Sequence, residues 1–208
     1  MASWSVENAT GAYLRAVKMT KGAKEPDAAE FISALAAGNN AQLMVIASAS
    51  AADSITLALV AAALQTGGQV ICIVRGVHEQ HSSEIALGDS AIHVKFVIGD
   101  ALNLLCNDYR EADCILIDCY LENCQRILET VQVISRNAIV IAYHACSMGS
   151  WRCPQGLKAH LLPIGEGLLV TKIAENVNKS NRSAVSGKKR RWLVKIDKYT
   201  GEEHVFRV

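Results

Sequence analysis

Apolar positions along the chain switch between two periods. Between Ser5 and Lys21, the residues Val6, Ala9, Tyr13, Ala16 and Val17 fall at helical spacing, and the stretch Lys21-Gly22-Ala23-Lys24-Glu25-Pro26 then breaks the pattern. Asp27, with Glu30 three residues on, predicts a capped second helix. Its buried stripe is Phe31, Ile32, Leu35 and Ala36, and Gly38-Asn39-Asn40 ends it. From Leu43 onward short aliphatic runs alternate with longer helical patterns. Leu43 to Ala47 reads as strand, Ser54 to Gln65 as helix and Gln69 to Val74 as strand, with Gly67-Gly68 separating the last two. Val94 to Ile98, Cys114 to Asp118 and Ala138 to Tyr143 repeat the strand theme, and Glu122 to Ser135 is a helix between the last two.

Unbroken aliphatic runs are what strands covered on both faces require, so the pattern predicts a parallel sheet in an α/β fold. The tail differs. Gly167 to Ile173 and Trp192 to Asp197 are strand-like, Glu203 to Arg207 is weaker, and no helical pattern intervenes, which predicts an antiparallel hairpin at the sheet edge. Ala174 to Arg191 is polar, rich in Asn, Ser and Lys, and is expected to be a loop.

Composition narrows the class. A chain of 208 residues with 50% hydrophobic content fills one core and leaves little for a second. Lys plus Arg number 21 against 20 acidic residues, so the net charge of +1 gives no global reason to expect nucleic acid or a membrane surface as partner. The seven cysteines form no CxxC pair and mostly lie in or beside apolar runs, which predicts reduced thiols and a cytoplasmic or nuclear setting. Ala2 to Lys24 lacks a basic segment followed by an apolar one, so no secretory signal is expected, and no run reaches the roughly 20 apolar residues that span a bilayer.

In an open parallel sheet, ligands bind beyond the carboxyl ends of the strands. The first such turn, Ala47-Ser48-Ala49-Ser50-Ala51-Ala52-Asp53-Ser54, is built of small residues that let backbone approach a ligand, or equally is a helix entry capped by Asp53 or Ser54. Asp100, after Gly99 and before Ala101, can accept a hydrogen bond from the exocyclic amine of a purine, cap the following helix, or both. Asp118 and His144 close two strand-like runs, where they can ligate a divalent cation, form an acid/base pair, or serve only as structural caps. Lys188-Lys189-Arg190-Arg191-Trp192 is the one dense basic cluster; it can serve nuclear import or phosphate contact, but the favoured reading is a solvated hairpin loop with Trp192 packed in the strand.

Taken in order, several segments resemble class I S-adenosylmethionine-dependent methyltransferases of the caffeoyl-CoA and catechol O-methyltransferase type, and more closely a plant family of uncharacterised methyltransferase-like proteins. They are Met19-Thr20 with the helix from Asp27, Leu43 to Gln65, Val97-Ile98-Gly99-Asp100-Ala101, Cys114 to Asn123, and Gly165-Glu166-Gly167-Leu168. The resemblance implies one Rossmann-like, doubly wound domain over residues 1–208, with a mostly parallel seven-stranded sheet and an antiparallel C-terminal edge hairpin. N-terminal helices would occupy 1–40, the core 41–150, and the hairpin with its basic loop 151–208. It implies S-adenosylmethionine or S-adenosylhomocysteine as ligand, held by Ala47, Ser48, Ala49, Ser50, Arg75, Gly99, Asp100, Ala101 and Asp118. Asp118 and His144 would face a small-molecule acceptor, and a homodimer is compatible with it.

The departures from that pattern shape the functional expectation. Ser48, Ser50 and Ala52 stand where the family has glycines, and Val74-Arg75-Gly76 stands where an acid would bind both ribose hydroxyls. The metal-dependent relatives pair the residue matching Asp118 with an Asp-Asn, here His144-Ala145, so no metal is expected; Leu121 replaces a lysine base. Two functions follow. One is a methyltransferase with weakened cofactor binding, and the other is a catalytically inactive member kept as a binding or regulatory module.

Overall fold

The computed structural model describes residues 4–22, 26–135, 137–148, 159–173, 192–196 and 203–207. Residues Met1–Glu175 and Asn176–Val208 form two compact units. In the first, helices α1 (Val6–Met19) and α2 (Pro26–Gly38) precede β1 (Leu43–Ala47), α3 (Ser54–Thr66), β2 (Gln69–Val74), α4 (Val77–Leu87), β3 (Val94–Ile98), α5 (Ala101–Asn107), β4 (Cys114–Asp118), α6 (Cys124–Ile134), β5 (Ile139–Tyr143), β6 (Ala159–Leu162) and β7 (Leu168–Lys172). The sheet runs β3-β2-β1-β4-β5-β7-β6. Its first five strands are parallel, and β7 pairs antiparallel with both β5 and β6. The seven-stranded, doubly wound expectation with an antiparallel edge is met.

Strand periodicity explains the two-sided core. Met44 and Ile46 of β1, Cys72 and Val74 of β2, and Leu116 of β4 point to one face, where they pack with Ala12, Ile32, Ile55, Leu59 and Leu87 of α1 to α4. Val45 and Ala47, Ile71 and Ile73, Ile115 and Ile117 point to the other, against Leu105 of α5 and Ile127, Leu128 and Val131 of α6. A strand buried on both faces has no polar alternation, hence the unbroken aliphatic runs. Asp113 clamps the amino ends of the central strands, its Oδ2 accepting from the backbone N–H groups of Gln42 (2.8 Å) and Leu43 (2.9 Å).

Three local expectations change. Helix α2 starts at Pro26, so Asp27 lies in its first turn rather than at its cap; proline is favoured there because its missing N–H is not needed. Helix α6 starts at Cys124, which leaves Glu122 and Asn123 in the preceding turn. The edge partner of β7 is β6, a run of four residues too short to stand out as a pattern, and not Trp192 to Asp197. In the second unit β8 (Trp192–Ile196) pairs antiparallel with β9 (Glu203–Arg207) in its own two-stranded sheet. The basic cluster Lys188 to Arg191 lies outside the described residues. Among the described residues no helix is long and apolar enough to cross a membrane.

Candidate functional site

The chain walks outward from β1 through β2 to β3, then returns to place β4 on the other side of β1, so strand order reverses between β1 and β4. At such a point the loops diverge and open a crevice at the carboxyl edge. Here single backbone bonds extend the strand ladders past the last strand residues: Ser48 N–H to Ile73 O (3.1 Å), Gly99 N–H to Val74 O (3.1 Å) and Cys119 N–H to Tyr143 O (3.0 Å). They bring the turns after β1, β3 and β4 to one level.

A cleft of about 510 Å³ opens there. Its floor is Ile73 and Val74, and Ser48, Gly99 and Ala101 leave room above them. Its charged groups are Arg75, Asp100 and Glu122, with Leu121 and Asn123 completing the wall. The structure therefore gathers Ser48, Arg75, Gly99, Asp100 and Ala101 of the expected ligand site into one cavity, while Ala47, Ala49, Ser50, Asp118 and His144 lie outside its lining. Ala47 is fully buried in β1. Leu121 to Asn123 were not foreseen as liners, because the apolar spacing extends the next helix back over Glu122.

The first turn closes without glycine. Ser48 donates its hydroxyl to Ser50 O (2.9 Å), and Asp53 caps α3 by accepting from Ile55 N–H (2.9 Å). The non-glycine residues of positive φ among the described residues are Asn40, Asn137 and His144, so none of the serines or alanines of this turn takes the left-handed conformation. The strain that would require glycine does not arise on this path. Asp100 caps α5 through Oδ2, which accepts from Asn103 N–H (2.8 Å), and it also lines the cleft.

Beside the cleft, Asp118 and His144 form a pair. Asp118 is 3% exposed; its Oδ2 accepts from Ala49 N–H (3.1 Å), and its Oδ1 accepts from Tyr120 N–H (3.0 Å) and lies 2.9 Å from His144 Nδ1. An ionised carboxylate only accepts, so Nδ1 carries the proton in this bond and Nε2 is left as the basic nitrogen. The imidazole is flanked by the rings of Tyr120, with centroids 4.6 Å apart, and Tyr143, at 4.7 Å. Tyr120 in turn donates its hydroxyl to Glu166 Oε2 (2.6 Å) on the turn before β7.

Burial, reinforced by Asp118 and Asp53, pushes the Tyr143 phenol well above its ordinary value, against the Ser48 hydrogen bond. Desolvation by its neighbours also raises the Asp53 carboxyl, although the residue is exposed, and the bond from Ile55 opposes it. Tyr120, Tyr143, Glu166 and Asp53 join this cluster from four separate segments; of these, sequence marks only Asp53, as a helix cap. Among the described residues no group of three or more His, Cys, Asp or Glu is placed to hold a metal ion. The arrangement suits proton transfer at His144 beside a nucleoside-sized cleft.

A family model described as "Protein of unknown function (DUF1442)" matches residues 1–208. None of the curated proteins matches the chain. Among solved structures, the chain is similar to a methyltransferase from Geobacter sulfurreducens at 20% identity and TM-score 0.53, over 71% of this chain and 78% of that one. It is similar to the Podospora anserina methyltransferase PaMTH1, bound to S-adenosylhomocysteine, at 13% identity and TM-score 0.58, over 83% and 90% of the two chains. It is also similar to an O-methyltransferase from Bacillus cereus in complex with S-adenosylhomocysteine, at 13% identity and TM-score 0.55, over 81% and 91%. At such identities the shared property is the fold.

Proposed function

The chain belongs to the DUF1442 family, and from that premise we propose that it is an S-adenosylmethionine-dependent methyltransferase-like protein acting on a small molecule, with a weakened hold on its cofactor. The observation that carries this reading is the Asp118–His144 pair set beside a cleft at the point where strand order reverses.

The cleft suits the cofactor in size, since small-molecule sites run from roughly 300 to 1,000 Å³. Asp100 offers a carboxylate to an adenine amine, and the Ser48 turn offers close backbone to the methionine portion. When bound, the cofactor supplies an electrophilic methyl group. His144 Nε2 takes the proton of an acceptor hydroxyl or amine, and Asp118 fixes the ring and stabilises the imidazolium that results. Ile73, Val74 and Leu121 keep water from the cleft floor. Arg75, where an acid would accept two ribose hydroxyls, is the reason cofactor binding is weakened: a guanidinium donates only.

The same reading takes the protein as one methyltransferase-like domain over 1–208, working in the cytoplasm or nucleus of a plant cell and open to a homodimer. It is tested by thermal melting of the full chain with S-adenosylmethionine and S-adenosylhomocysteine. Ligand at a hundred times its dissociation constant adds about 2.7 kcal/mol, a readily measured rise. No rise with either compound up to millimolar concentration sinks the reading and favours the second one, an inactive binding module, which Arg75 already motivates.

A further inference from the structure

Arg75 is the first residue after β2 and lines the cleft with an exposed side chain. Among the described residues no carboxylate forms an ion pair with its guanidinium, although Asp100 and Glu122 line the same cavity. In doubly wound folds an acid near this point accepts from a nucleotide's ribose, so Arg75 stands at the ribose position of a nucleoside whose adenine meets Asp100 in the same cleft. A carboxylate at that place accepts from two neutral hydroxyls and repels an anion. A guanidinium does the reverse, because its fixed fork of N–H donors matches the oxygens of a phosphate two at a time. In dinucleotide folds the same exchange at the end of the second strand separates ligands with a free ribose from those with a phosphorylated one.

Two neighbours sharpen the chemistry. Helix α4 begins directly behind Arg75, and its cap residue Gly76 provides no side-chain bond to the first turn. The positive end of an eleven-residue helix therefore adds to the guanidinium charge. Glu79 opposes them. Its Oε2 lies 3.1 Å from where a Cβ on Gly76 would stand, so a carboxylate rests at this corner.

We propose that the cleft takes an adenine nucleotide bearing a phosphate on its ribose, with Arg75 as the phosphate-binding residue. The inference rests on the nucleoside-cleft reading given above. A 2′-phosphate and a 3′-phosphate share the recognised chemistry, and the ligands tested separate them.

The experiment is isothermal titration of the full chain, at fixed ionic strength, with 2′,5′-ADP, 3′,5′-ADP, ordinary ADP, and S-adenosylhomocysteine. One ribose-phosphorylated nucleotide is expected to bind about tenfold or more tightly than ADP, as charge-assisted hydrogen bonds imply. Arg75→Gln is expected to abolish that preference, and Glu79→Gln to strengthen it. Arg75 is exposed, so its replacement leaves the fold intact, which a melting curve verifies. Equal binding of ADP and both ribose phosphates overturns the proposal, as does a preference that survives Arg75→Gln. Binding of S-adenosylhomocysteine without any ribose-phosphate preference leaves the methyltransferase reading standing and removes only this inference. A ribose-phosphate preference without S-adenosylhomocysteine binding supports the inference and removes the methyltransferase reading, and no binding of any ligand removes both.

Discussion

His144 reaches Asp118 across the ends of two adjacent strands, Nδ1 to Oδ1 at 2.9 Å, while its own backbone sits at φ +56°. A left-handed conformation at a residue other than glycine or asparagine costs roughly 1 kcal/mol or more, and it persists where surrounding contacts hold it. The bond to Asp118 and the two flanking tyrosine rings are those contacts.

Asp118→Ala removes one acceptor from three donors: Ala49 N–H, Tyr120 N–H and the imidazole. Stability is expected to fall by roughly 1–3 kcal/mol in urea unfolding, the scale of buried donors left without an acceptor. His144→Asn adds little backbone strain, because asparagine tolerates the left-handed region, but it weakens the bond to buried Asp118, so a loss of roughly 1–3 kcal/mol is expected. On the proposed function it should nevertheless abolish methyl transfer, since the proposed proton acceptor is gone. A His144→Asn protein with undiminished transfer would show that the pair is only structural.

The turn entering β7 rests on a close approach. Gly167 has φ +91°, and a Cβ there would lie 2.6 Å from Cys146 Sγ and 3.1 Å from Cys146 N. Gly167→Ala should therefore destabilise the protein by roughly 1–3 kcal/mol. Cys146→Ala removes the sulfur but not the backbone, so in the double variant only part of the loss should return. A double-mutant cycle in urea reads this directly; full recovery would mean that the backbone conformation costs nothing.

Thiol reactivity should sort by environment. Burial pushes the Cys72 and Cys114 thiols up to about 12, whereas Cys146 is exposed. At pH 8 a thiol of that value is thiolate only about one part in ten thousand of the time, and the thiolate is the reactive form. In a brief iodoacetamide pulse read by mass spectrometry, Cys146 is expected to label ahead of Cys72 and Cys114, which label only after denaturant is added. Early labelling of Cys72 or Cys114 in the native protein would contradict the two-sided core.

How much of this was legible follows from where each signal lives. The strands β1, β2, β4 and β5 are visible because burial on both faces forces an unbroken aliphatic run. Helix α4 left no such trace: only Ser83 and Leu87 are buried in it, so no stripe interrupts its polar surface. Asp118 and His144 could be paired from sequence because each ends a strand and those strands are neighbours. Tyr120 and Glu166, 46 residues apart, meet only through the antiparallel return of β7, which no local pattern encodes. Glu122 and Asn123 were hidden for the opposite reason, since helical spacing continues through them while the chain is still in the turn.

Asp53 links the first turn to pH. It caps α3, yet its carboxyl is raised above 3.8, first by burial. Asp53 is nevertheless exposed at the surface, and solvent screening keeps the effect small. The sign is definite. The folded state holds this proton more tightly than the unfolded chain, so between 3.8 and the raised folded value the folded form binds more protons and stability falls as pH rises. Below that window the neutral acid carries no such penalty, and above it the penalty is complete. Asp53→Asn keeps an oxygen for the Ile55 N–H and removes the ionisation, so it should melt higher than the wild type at pH 7, with the gap closing toward pH 3.5. Asp53→Ala also removes the ionisation but loses the cap, so it should melt below Asp53→Asn at every pH, by about 1 kcal/mol of stability. Melting curves from pH 3 to 7 give the answer: wild type and Asp53→Asn that run parallel throughout would mean that burial does not tax this carboxylate, and that Asp53 acts as a cap alone.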